Sequence, residues 1–254
     1  MSTKISVVII TFNEEKNIER CLQSIEDVAD EIIVLDSFSF DRTEEICKKF
    51  NVKFHQHKFD GHIQQKNRAM DLAENDYVLS LDADEAPDET LINEIKHIKE
   101  NTNSDAYYFN RLTYYCGKWI KHCGWYPDRK LRIWNKNKGK WGGINPHDKV
   151  IMQEGTSKEH IKGDLLHYSF YTINQHLAQI NSFSEIKANE AFKRKKTNNI
   201  FTILFKPSIK FFIMYVIKAG FLDGYYGYVV CKNSAFSEHL KQTKLRELYK
   251  NARS

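Results

Sequence analysis

Residues 77–86, Tyr-Val-Leu-Ser-Leu-Asp-Ala-Asp-Glu-Ala, join a short apolar run to two carboxylates, Asp82 and Asp84. An apolar run of this length between polar residues predicts a buried β-strand. Because side chains alternate between the faces of a strand, the two carboxylates are expected on the same side. Their charges repel each other unless a cation lies nearby. Mg²⁺ and Mn²⁺ bind carboxylates together with phosphate oxygens, so the pair predicts a metal–diphosphate site; the alternative is an acidic surface turn.

The chain before this stretch alternates predicted strands with predicted helices. Apolar runs at residues 5–10, 31–36 and 52–55 predict three strands, and apolar residues at helical spacing lie between them. Strands and helices that alternate at short intervals predict an α/β fold with a parallel sheet. Ligands of such sheets bind outside the carboxyl ends of the strands, where Asp36 and the 77–86 carboxylates should meet.

The loop after the first predicted strand reads Thr-Phe-Asn-Glu-Glu at residues 11–15. It lacks the glycines of a dinucleotide-binding or P-loop motif, so both of those sites are disfavoured. A nucleotide bound here would need its diphosphate neutralised in another way, and a metal held by Asp84 would do this. Asn13 is expected to cap the helix that follows, with acidic residues in its first turn.

Several segments together resemble glycosyltransferase family 2, whose members have the GT-A nucleotide-sugar fold. The four N-terminal segments are Ser6–Glu15, Val34–Ser37, Gln65–Asn67 and Leu81–Glu85. Two later segments, Gly124–Arg129 and Gly220–Gly224, resemble the lipopolysaccharide-core glucosyltransferase-like (WaaE-type) subgroup. The resemblance covers nearly the whole chain. It implies a GT-A fold with a mostly parallel central sheet, followed by a C-terminal helical extension.

The resemblance also implies roles for individual residues. Asp36 is expected on the nucleotide base, Lys66 near the diphosphate or donor sugar, Asp82 near the ribose or metal, and Asp84 on Mg²⁺ or Mn²⁺. The remaining nucleotide-pocket residues are expected to be Thr11, Asn13 and Glu15.

The chain departs from the family pattern in two places. The loop after Asp36 carries Phe38 and Phe40, where relatives usually have a smaller, glycine-containing loop. Residues 146–148 read Pro-His-Asp where members of the subgroup often have Val-His-Glu, and the shorter Asp leaves the role of residue 148 open.

An inverting glycosyl transfer requires a general base that deprotonates the attacking hydroxyl group. Asp128 is the first candidate, because it lies in a predicted turn among aromatic and basic residues; its alternative role is a salt bridge to Arg129 or Arg132. His147 and Asp148 are the alternative candidates for the base.

A late histidine often completes the metal site of GT-A enzymes, and the resemblance points to His147 or His167 for this role. His167 follows a short apolar run and could equally be a buried core histidine.

Residues 114–134 are rich in aromatic and basic side chains. Aromatic faces bind sugars, and arginine binds phosphates and carboxylates, so this segment predicts acceptor binding; the alternative is a core cluster with solvated bases around it.

The last part of the chain is predicted to be helical, basic and aromatic. Lys193–Lys196 is a basic run, and residues 200–230 are strongly apolar but contain several lysines and one proline. No stretch reaches the ~20 uninterrupted apolar residues needed to span a bilayer. This composition predicts contact with an anionic membrane surface; a helical cap and a dimer interface are the alternatives. No motif for nucleic-acid recognition is found.

The whole chain has 254 residues, a net charge of +5 and five scattered cysteines, which is typical of a protein from a reducing compartment. We therefore expect a cytoplasmic enzyme, peripheral at the inner membrane, with a GT-A domain at residues 1–170 and a helical extension at residues 171–254. The predicted activity is metal-dependent, inverting transfer from a nucleotide sugar, a UDP-hexose, to a lipid-anchored cell-envelope saccharide such as lipopolysaccharide core. The alternatives are a sugar nucleotidyltransferase and a non-catalytic, membrane-docked scaffold.

Overall fold

The computed structural model describes residues 2–144 and 147–252, and the contacts of the chain divide it into two compact units. Unit 1 comprises Met1–Arg111 and Asp128–Tyr168, and unit 2 comprises Leu112–Pro127 and Ser169–Ser254. The functional domains expected at residues 1–170 and 171–254 stay a prediction, because compactness alone assigns no function.

The secondary structure alternates strands and helices in the first half of the chain and ends in long helices. The strands are β1 (Ile5–Thr11), β2 (Glu31–Asp36), β3 (Lys53–Gln56), β4 (Tyr77–Asp82), β5 (Glu85–Pro87), β6 (Ala106–Tyr115), β7 (Lys118–Ile120), β8 (Asp128–Asn135), β9 (Gly139–Ile144), β10 (His147–Met152) and β11 (Lys158–Phe170). The helices are α1 (Ile18–Ile25), α2 (Thr43–Cys47), α3 (His62–Asp71), α4 (Glu89–Glu100), α5 (Ile173–Lys193), α6 (Ile200–Phe212) and α7 (Gly224–Asn251). A π-helical segment, Ile213–Ile217, and a 3₁₀ turn, Gly220–Asp223, lie between α6 and α7.

The main sheet has the strand order β3-β2-β1-β4-β8-β6-β11-β5, with β7 paired to β6. Strands β3, β2, β1 and β4 are parallel, whereas the pairs β4–β8, β6–β8 and β5–β11 are antiparallel. Strands β9 and β10 form a separate antiparallel pair. The predicted α/β, GT-A-type fold with a C-terminal helical extension is confirmed, and the sheet has in addition a set of antiparallel strands beyond β4.

The parallel strands are buried on both faces. In β1, Ile5 and Ile9 belong to one apolar cluster with Leu22 of α1, whereas Val8 belongs to another with Met70 of α3. Helices therefore cover both sides of the sheet, which is why the strands are apolar at successive positions rather than at alternate ones. Each fully buried aliphatic side chain contributes about 1.5–3 kcal/mol relative to an exposed one, so burial in this double layer stabilises the sheet whose strand ends form the candidate site.

The first helix differs from the prediction. It begins at Ile18, and Asn13 does not cap it. Asn13 adopts a left-handed backbone conformation, with φ of 55°. Its amide N donates to Ser39 Oγ at 2.8 Å, and its Oδ1 accepts from the Phe40 amide at 3.0 Å. The Asn13 side chain thus joins the loop after β1 to the loop after β2, and this long-range contact replaces the expected local cap.

Unit 2 combines the β6–β7 hairpin with helices α5, α6 and α7. Thr113 pairs with Ile120 across the hairpin, and Tyr115, Phe170 and Val230 lie in one apolar core. Tyr115 is fully buried there, and Trp134 is fully buried in unit 1. For these two aromatic residues the expected acceptor-facing position is wrong, since both contribute to a core instead.

Candidate active site

The candidate active site lies at the carboxyl ends of the parallel strands of unit 1. Thr11 of β1 is paired with Asp36 of β2, and Ile10 with Asp82 of β4. The register therefore brings the predicted residues Thr11, Asp36 and Asp82 to one edge of the sheet, as expected for a parallel arrangement. Thr11 Oγ1 is buried and has no hydrogen-bond partner within the described part of the chain.

Asp36 organises the loop that follows β2. Its carboxylate is fully buried and accepts from the Ser39 amide at 2.8 Å, from Ser39 Oγ at 2.5 Å and from Gln56 Nε2 at 3.2 Å. Glu15 is held on the neighbouring loop, where its amide donates to Asp41 Oδ2 at 3.1 Å. These bonds tie the loop after β2 to the end of the strand.

The two bulky residues of this loop point outward. Phe38 has a left-handed backbone, with φ of 62°, and Phe40 is 84% exposed. The ring of Phe40 meets Phe12 edge-on, with 6.0 Å between ring centroids. The aromatic rings therefore lie at the rim of this edge and do not fill it.

Lys66 of α3 connects two of the predicted carboxylates. Its Nζ lies 3.0 Å from Asp82 Oδ1 and 2.9 Å from Asp148 Oδ2. The ammonium group also lies 4.4 Å from the centroid of the Trp141 ring, and the side chain is almost fully buried. A buried cation between two carboxylates and an aromatic face is held in position before any ligand arrives.

Arg132 of β8 is a second buried cation at the same carboxylates. Its Nη2 donates to Asp82 Oδ2 at 3.2 Å and to Glu85 Oε1 at 2.8 Å. Burial opposes ionisation of Asp82, but Lys66 and Arg132 outweigh burial and hold the pKa of Asp82 well below its usual value. Arg132 Nε and Nη1 have no hydrogen-bond partner among the residues described.

Asp128 lies at the other end of this network of ion pairs, where Arg111 connects it to Glu85. Arg111 donates to Asp128 Oδ2 through Nη2 at 2.8 Å and through Nε at 3.1 Å, and it lies 3.4 Å from Glu85 Oε1. Lys130 Nζ lies 2.9 Å from Asp128 Oδ1. Asp128 thus forms salt bridges with Arg111 and Lys130, rather than with the arginines expected from the sequence.

Asp84 lies outside β4, which ends at Asp82, in the turn before β5. The expected strand alternation therefore does not extend from Asp82 to Asp84. Asp84 Oδ2 lies 3.1 Å from His167 Nε2, and its backbone oxygen accepts from the Tyr168 amide at 2.9 Å. The structure thus brings two of the three predicted metal ligands together, while Asp82 faces Lys66 and Arg132.

Glu14 is a further carboxyl group at this edge of the sheet, close to Asp84, Asp41 and Asp82. Burial raises the pKa of Glu14 to about 7, against a hydrogen bond from Asn17 that lowers it. The negative charges of Asp84, Asp41 and Asp82 raise it further. A divalent cation would relieve this repulsion, and the carboxylate oxygens of Asp84 are donors of the kind that Mg²⁺ and Mn²⁺ prefer, with His167 beside them. Within the described residues, no group of three His, Cys, Asp or Glu side chains forms a complete metal site by itself.

The last two predicted site residues are Asp148 and His147. Asp148 joins the cluster through Lys66, as described, whereas the side chain of His147 lies outside the described part of the structure.

Residues 6–163, more than half of the chain, match the sequence profile of glycosyl transferase family 2. The chain belongs to glycosyltransferase family 2.

Relatives of this glycosyltransferase agree with the assignment. An uncharacterized glycosyltransferase of Rickettsia bellii is 32% identical, over 98% of this chain and 88% of its own length. A lipopolysaccharide core biosynthesis glycosyltransferase, LpsC of Rhizobium meliloti, is 24% identical, over 95% of this chain and 91% of its own. Among solved structures, residues 1–349 of S. aureus TarS in complex with UDP-GlcNAc are 14% identical, with a TM-score of 0.44, covering 98% of this chain and 92% of that one. The family match and the relative from Rickettsia bellii confirm the predictions of the family and of glycosyltransferase activity.

Two charged residues of the glycosyltransferase, Glu85 and Arg111, had no site role in the sequence-based prediction. Arg132 was predicted only as part of the acceptor-binding segment 114–134 or as a salt-bridge partner of Asp128. Glu85 and Arg132 are almost fully buried, so their charges are stabilised by one another. The sequence does indicate that Arg132 is unusual, because it interrupts the apolar run Leu131-Arg132-Ile133-Trp134 of β8. The partners of all three come from other strands, and sequence spacing could not identify them.

Proposed function

We propose that this glycosyltransferase transfers a sugar, with inversion, from a UDP-hexose to a lipid-anchored saccharide of the cell envelope, in a reaction that depends on Mg²⁺ or Mn²⁺. The observation that carries the proposal is the edge of the sheet where Asp84 and His167 lie beside the Lys66–Asp82 pair. The similarity to LpsC supports a lipopolysaccharide-core acceptor.

The donor pocket is assigned to the loops after β1 and β2. Thr11, with its unsatisfied hydroxyl, and Asp36 face the nucleoside, with Asn13 and Glu15 on the loops beside them. Lys66 is proposed to exchange part of its contact with Asp82 and Asp148 for the donor diphosphate. The structural support is its burial beside both carboxylates, since a cation already held in place loses little freedom when it binds an anion.

Asp84 and His167 are proposed to hold the divalent metal, with Asp82 close by. The metal would neutralise charge on the departing diphosphate. The separation of 3.1 Å between Asp84 and His167 supports this location, as do the carboxylates of Asp84, Asp41 and Asp82, which add to the effect of burial in raising the pKa of Glu14.

The general base is proposed to be a carboxylate that accepts the proton of the acceptor hydroxyl group. The hydroxyl oxygen forms the new bond to the anomeric carbon as the bond from that carbon to the diphosphate breaks. Both Asp128 and Asp148 remain candidates, with His147 beside Asp148. The contacts favour Asp148, because one cation holds it next to the donor-side residues, whereas Arg111 and Lys130 occupy both oxygens of Asp128.

Calorimetric titration of the full chain with UDP, GDP and CMP, with and without Mn²⁺, tests the donor site. We expect metal-dependent UDP binding that is lost in Asp84→Ala and retained in the control Asp27→Ala, whose exposed carboxylate lies in unit 1. Preference for GDP or CMP would change the donor and keep the enzyme class. Absence of binding to any nucleotide would support the non-catalytic scaffold.

Product analysis separates the proposed transferase from a sugar nucleotidyltransferase. Incubation with a UDP-sugar and a lipid-linked acceptor should release UDP and glycosylated lipid. Release of sugar 1-phosphate and UTP from the UDP-sugar and diphosphate would identify the nucleotidyltransferase instead. We place the enzyme in the cytoplasm, peripheral at the inner membrane, where UDP-sugars and lipid-linked acceptors meet.

A further inference from the structure

Helix α6 of unit 2 exposes an unusually apolar face. Six of its large side chains are more than half exposed: Ile200, Phe201, Leu204, Phe205, Ile209 and Phe212. They recur at intervals of three or four residues, so they form one continuous surface along the helix. On the opposite side, Ile203 and Met214 of the following segment are buried, and α6 packs against α7. Such a surface is costly in water and marks an interaction site.

The apolar segment is suited to lie along a membrane surface and not across it. Ile200–Ile217 has a mean hydropathy of 1.7, so by length and composition it could cross a membrane, and only 11% of its residues are buried. However, it contains Lys206, Pro207 and Lys210, and it is packed on α7, a helix with many charged residues. A spanning position would carry the charged surface of α7 into the hydrocarbon, whereas a position in the interface leaves that surface in water.

A basic cavity of about 500 Å³ lies beside α6 in unit 2. Its cationic lining residues are Lys187, Arg194, Lys196, Lys206 and Lys241. The acidic residue in the lining is Glu190, so positive charge is in large excess. Ammonium and guanidinium groups together are the usual partners of phosphate oxygens.

Lys206 links the basic cavity to the apolar face. It follows Phe205 directly in α6, and it also lines a second cavity of about 380 Å³, together with Ile209 and Ile213. A ligand with a phosphate group next to acyl chains matches this succession of charge and apolar surface, whereas a free phosphate ion would use only the charged part.

We propose that this surface docks unit 2 onto an anionic lipid bilayer, with the exposed side chains of α6 among the acyl chains and a lipid phosphate in the basic cavity. The biological reason for this docking depends on the lipid-linked acceptor proposed above. Membrane binding itself can be measured without catalysis. Charge complementarity selects the bilayer over a second copy of the chain, because two such basic cavities would repel each other at a dimer interface.

Cosedimentation of the full chain with vesicles tests the proposal. The wild type should bind vesicles of phosphatidylcholine with 30% phosphatidylglycerol at least tenfold more tightly than pure phosphatidylcholine vesicles, and added salt should weaken this binding. The double variant Lys196→Glu, Lys206→Glu should lose about tenfold or more in binding to the anionic vesicles. The control Lys158→Glu, Lys162→Glu makes the same change of charge on exposed lysines of unit 1 and should bind normally.

A second variant and its control test the exposed phenylalanines of α6. Phe201→Ser with Phe205→Ser should lose most vesicle binding, whereas the control Phe59→Ser, at an exposed phenylalanine of unit 1, should keep it. Circular dichroism should show every variant folded, since all the altered side chains are exposed. UDP binding should stay unchanged in all of them; if wild-type vesicle binding holds but UDP binding fails, the proposed function falls and the docking surface stands.

Four results would overturn the proposal. The first is equal binding of the wild type to neutral and anionic vesicles. The second is a dimer in analytical ultracentrifugation that the two phenylalanine substitutions dissociate, without vesicle binding, which would assign the face to a second copy. The third is calorimetric binding of inorganic phosphate that is lost in Lys196→Glu, Lys206→Glu, without vesicle binding, which would assign the cavity to a soluble phosphate. Retention of the wild type in the membrane pellet after alkaline extraction would likewise contradict interfacial docking.

Discussion

Arg132 lies inside the apolar strand β8, and its guanidinium contacts the carboxylates of Asp82 and Glu85 at 3.2 and 2.8 Å. The pair Asp82–Lys66 shares the same surroundings, so the ionised state of Asp82 depends on two buried cations at once. Removing one partner from such a network leaves a buried charge without compensation, which costs far more than the intact pair contributes.

Substitution Arg132→Met is therefore expected to lower the free energy of unfolding by about 3–5 kcal/mol. Urea unfolding of the wild type and of Arg132→Met at pH 8 measures this loss. Arg132→Lys, which keeps the charge, is the control; equal losses in the two variants would show that shape and not charge is responsible.

One cation holds Asp148, whereas two hold Asp128, so we expect substitutions of the two residues to lower kcat to different extents. Asp148→Asn should lower kcat by about 10²–10⁴-fold, the usual contribution of a general base, while UDP binding is retained. Asp128→Asn should have a smaller effect on kcat. Steady-state kinetics with a UDP-sugar and a lipid-linked acceptor decide between them, and near wild-type turnover of Asp148→Asn would return the role to Asp128.

Among the secondary-structure elements, β11 and the start of α4 approach each other unusually closely at Gly163. Gly163 of β11 has φ of +91°, and a Cβ atom there would lie 2.6 Å from Leu91 Cα in the first turn of α4. That turn is capped by Asp88, whose Oδ1 accepts from the Leu91 amide at 2.7 Å. The strand and the start of the helix can approach so closely only because residue 163 has no side chain.

Gly163→Ala should therefore destabilise the protein by at least 2 kcal/mol, since the atoms it meets are backbone and cannot move aside. Gly155→Ala is a matched control: Gly155 also has a positive φ, of +81°, but a Cβ atom there meets nothing within 4 Å. Only the conformational strain of about 1 kcal/mol should remain in that variant. Chemical unfolding measures both, and equal losses would contradict the proposed backbone contact.

His176 of α5 makes the core of unit 2 sensitive to acid. It is almost fully buried, its Nδ1 lies 2.9 Å from Tyr115 Oη, and burial lowers the pKa of His176 to about 4. Between pH 6.5 and 4 the unfolded chain binds a proton that the folded chain does not, so stability is lost as the pH falls through this range. The loss from this residue should reach about 2 kcal/mol at pH 5 relative to pH 7.

Thermal unfolding of the wild type and of His176→Gln at pH 7 and pH 5 measures this contribution. The variant should be less stable at pH 7, because it loses packing, and it should show the smaller further loss at pH 5. An equal pH dependence in both proteins would mean that other groups control the acid sensitivity.

At the scale of the whole molecule, donor and metal binding should stabilise the folded chain in proportion to occupancy. With UDP at one hundred times its Kd and Mn²⁺ present, the free energy of unfolding should rise by about 2.7 kcal/mol. Asp84→Ala should not show this increase, whereas it should unfold normally without ligand, because its partner His167 is only partly buried. Differential scanning fluorimetry checks the prediction, and equal stabilisation of Asp84→Ala would place the metal elsewhere.

The sequence by itself determined the α/β fold, the family and the edge of the sheet at which the site lies. Apolar runs and helical spacing are local properties, and the carboxyl ends of parallel strands meet wherever such strands pair. The partners of the site residues were decided by the tertiary structure alone. Asn13 bonds to a loop 26 residues away, and Asp128 pairs with Arg111 across two antiparallel strands. The exposed face of α6 likewise depends on how the helix packs on α7. These are contacts between distant segments, and their energies depend on burial and on distance, which spacing along the chain does not encode.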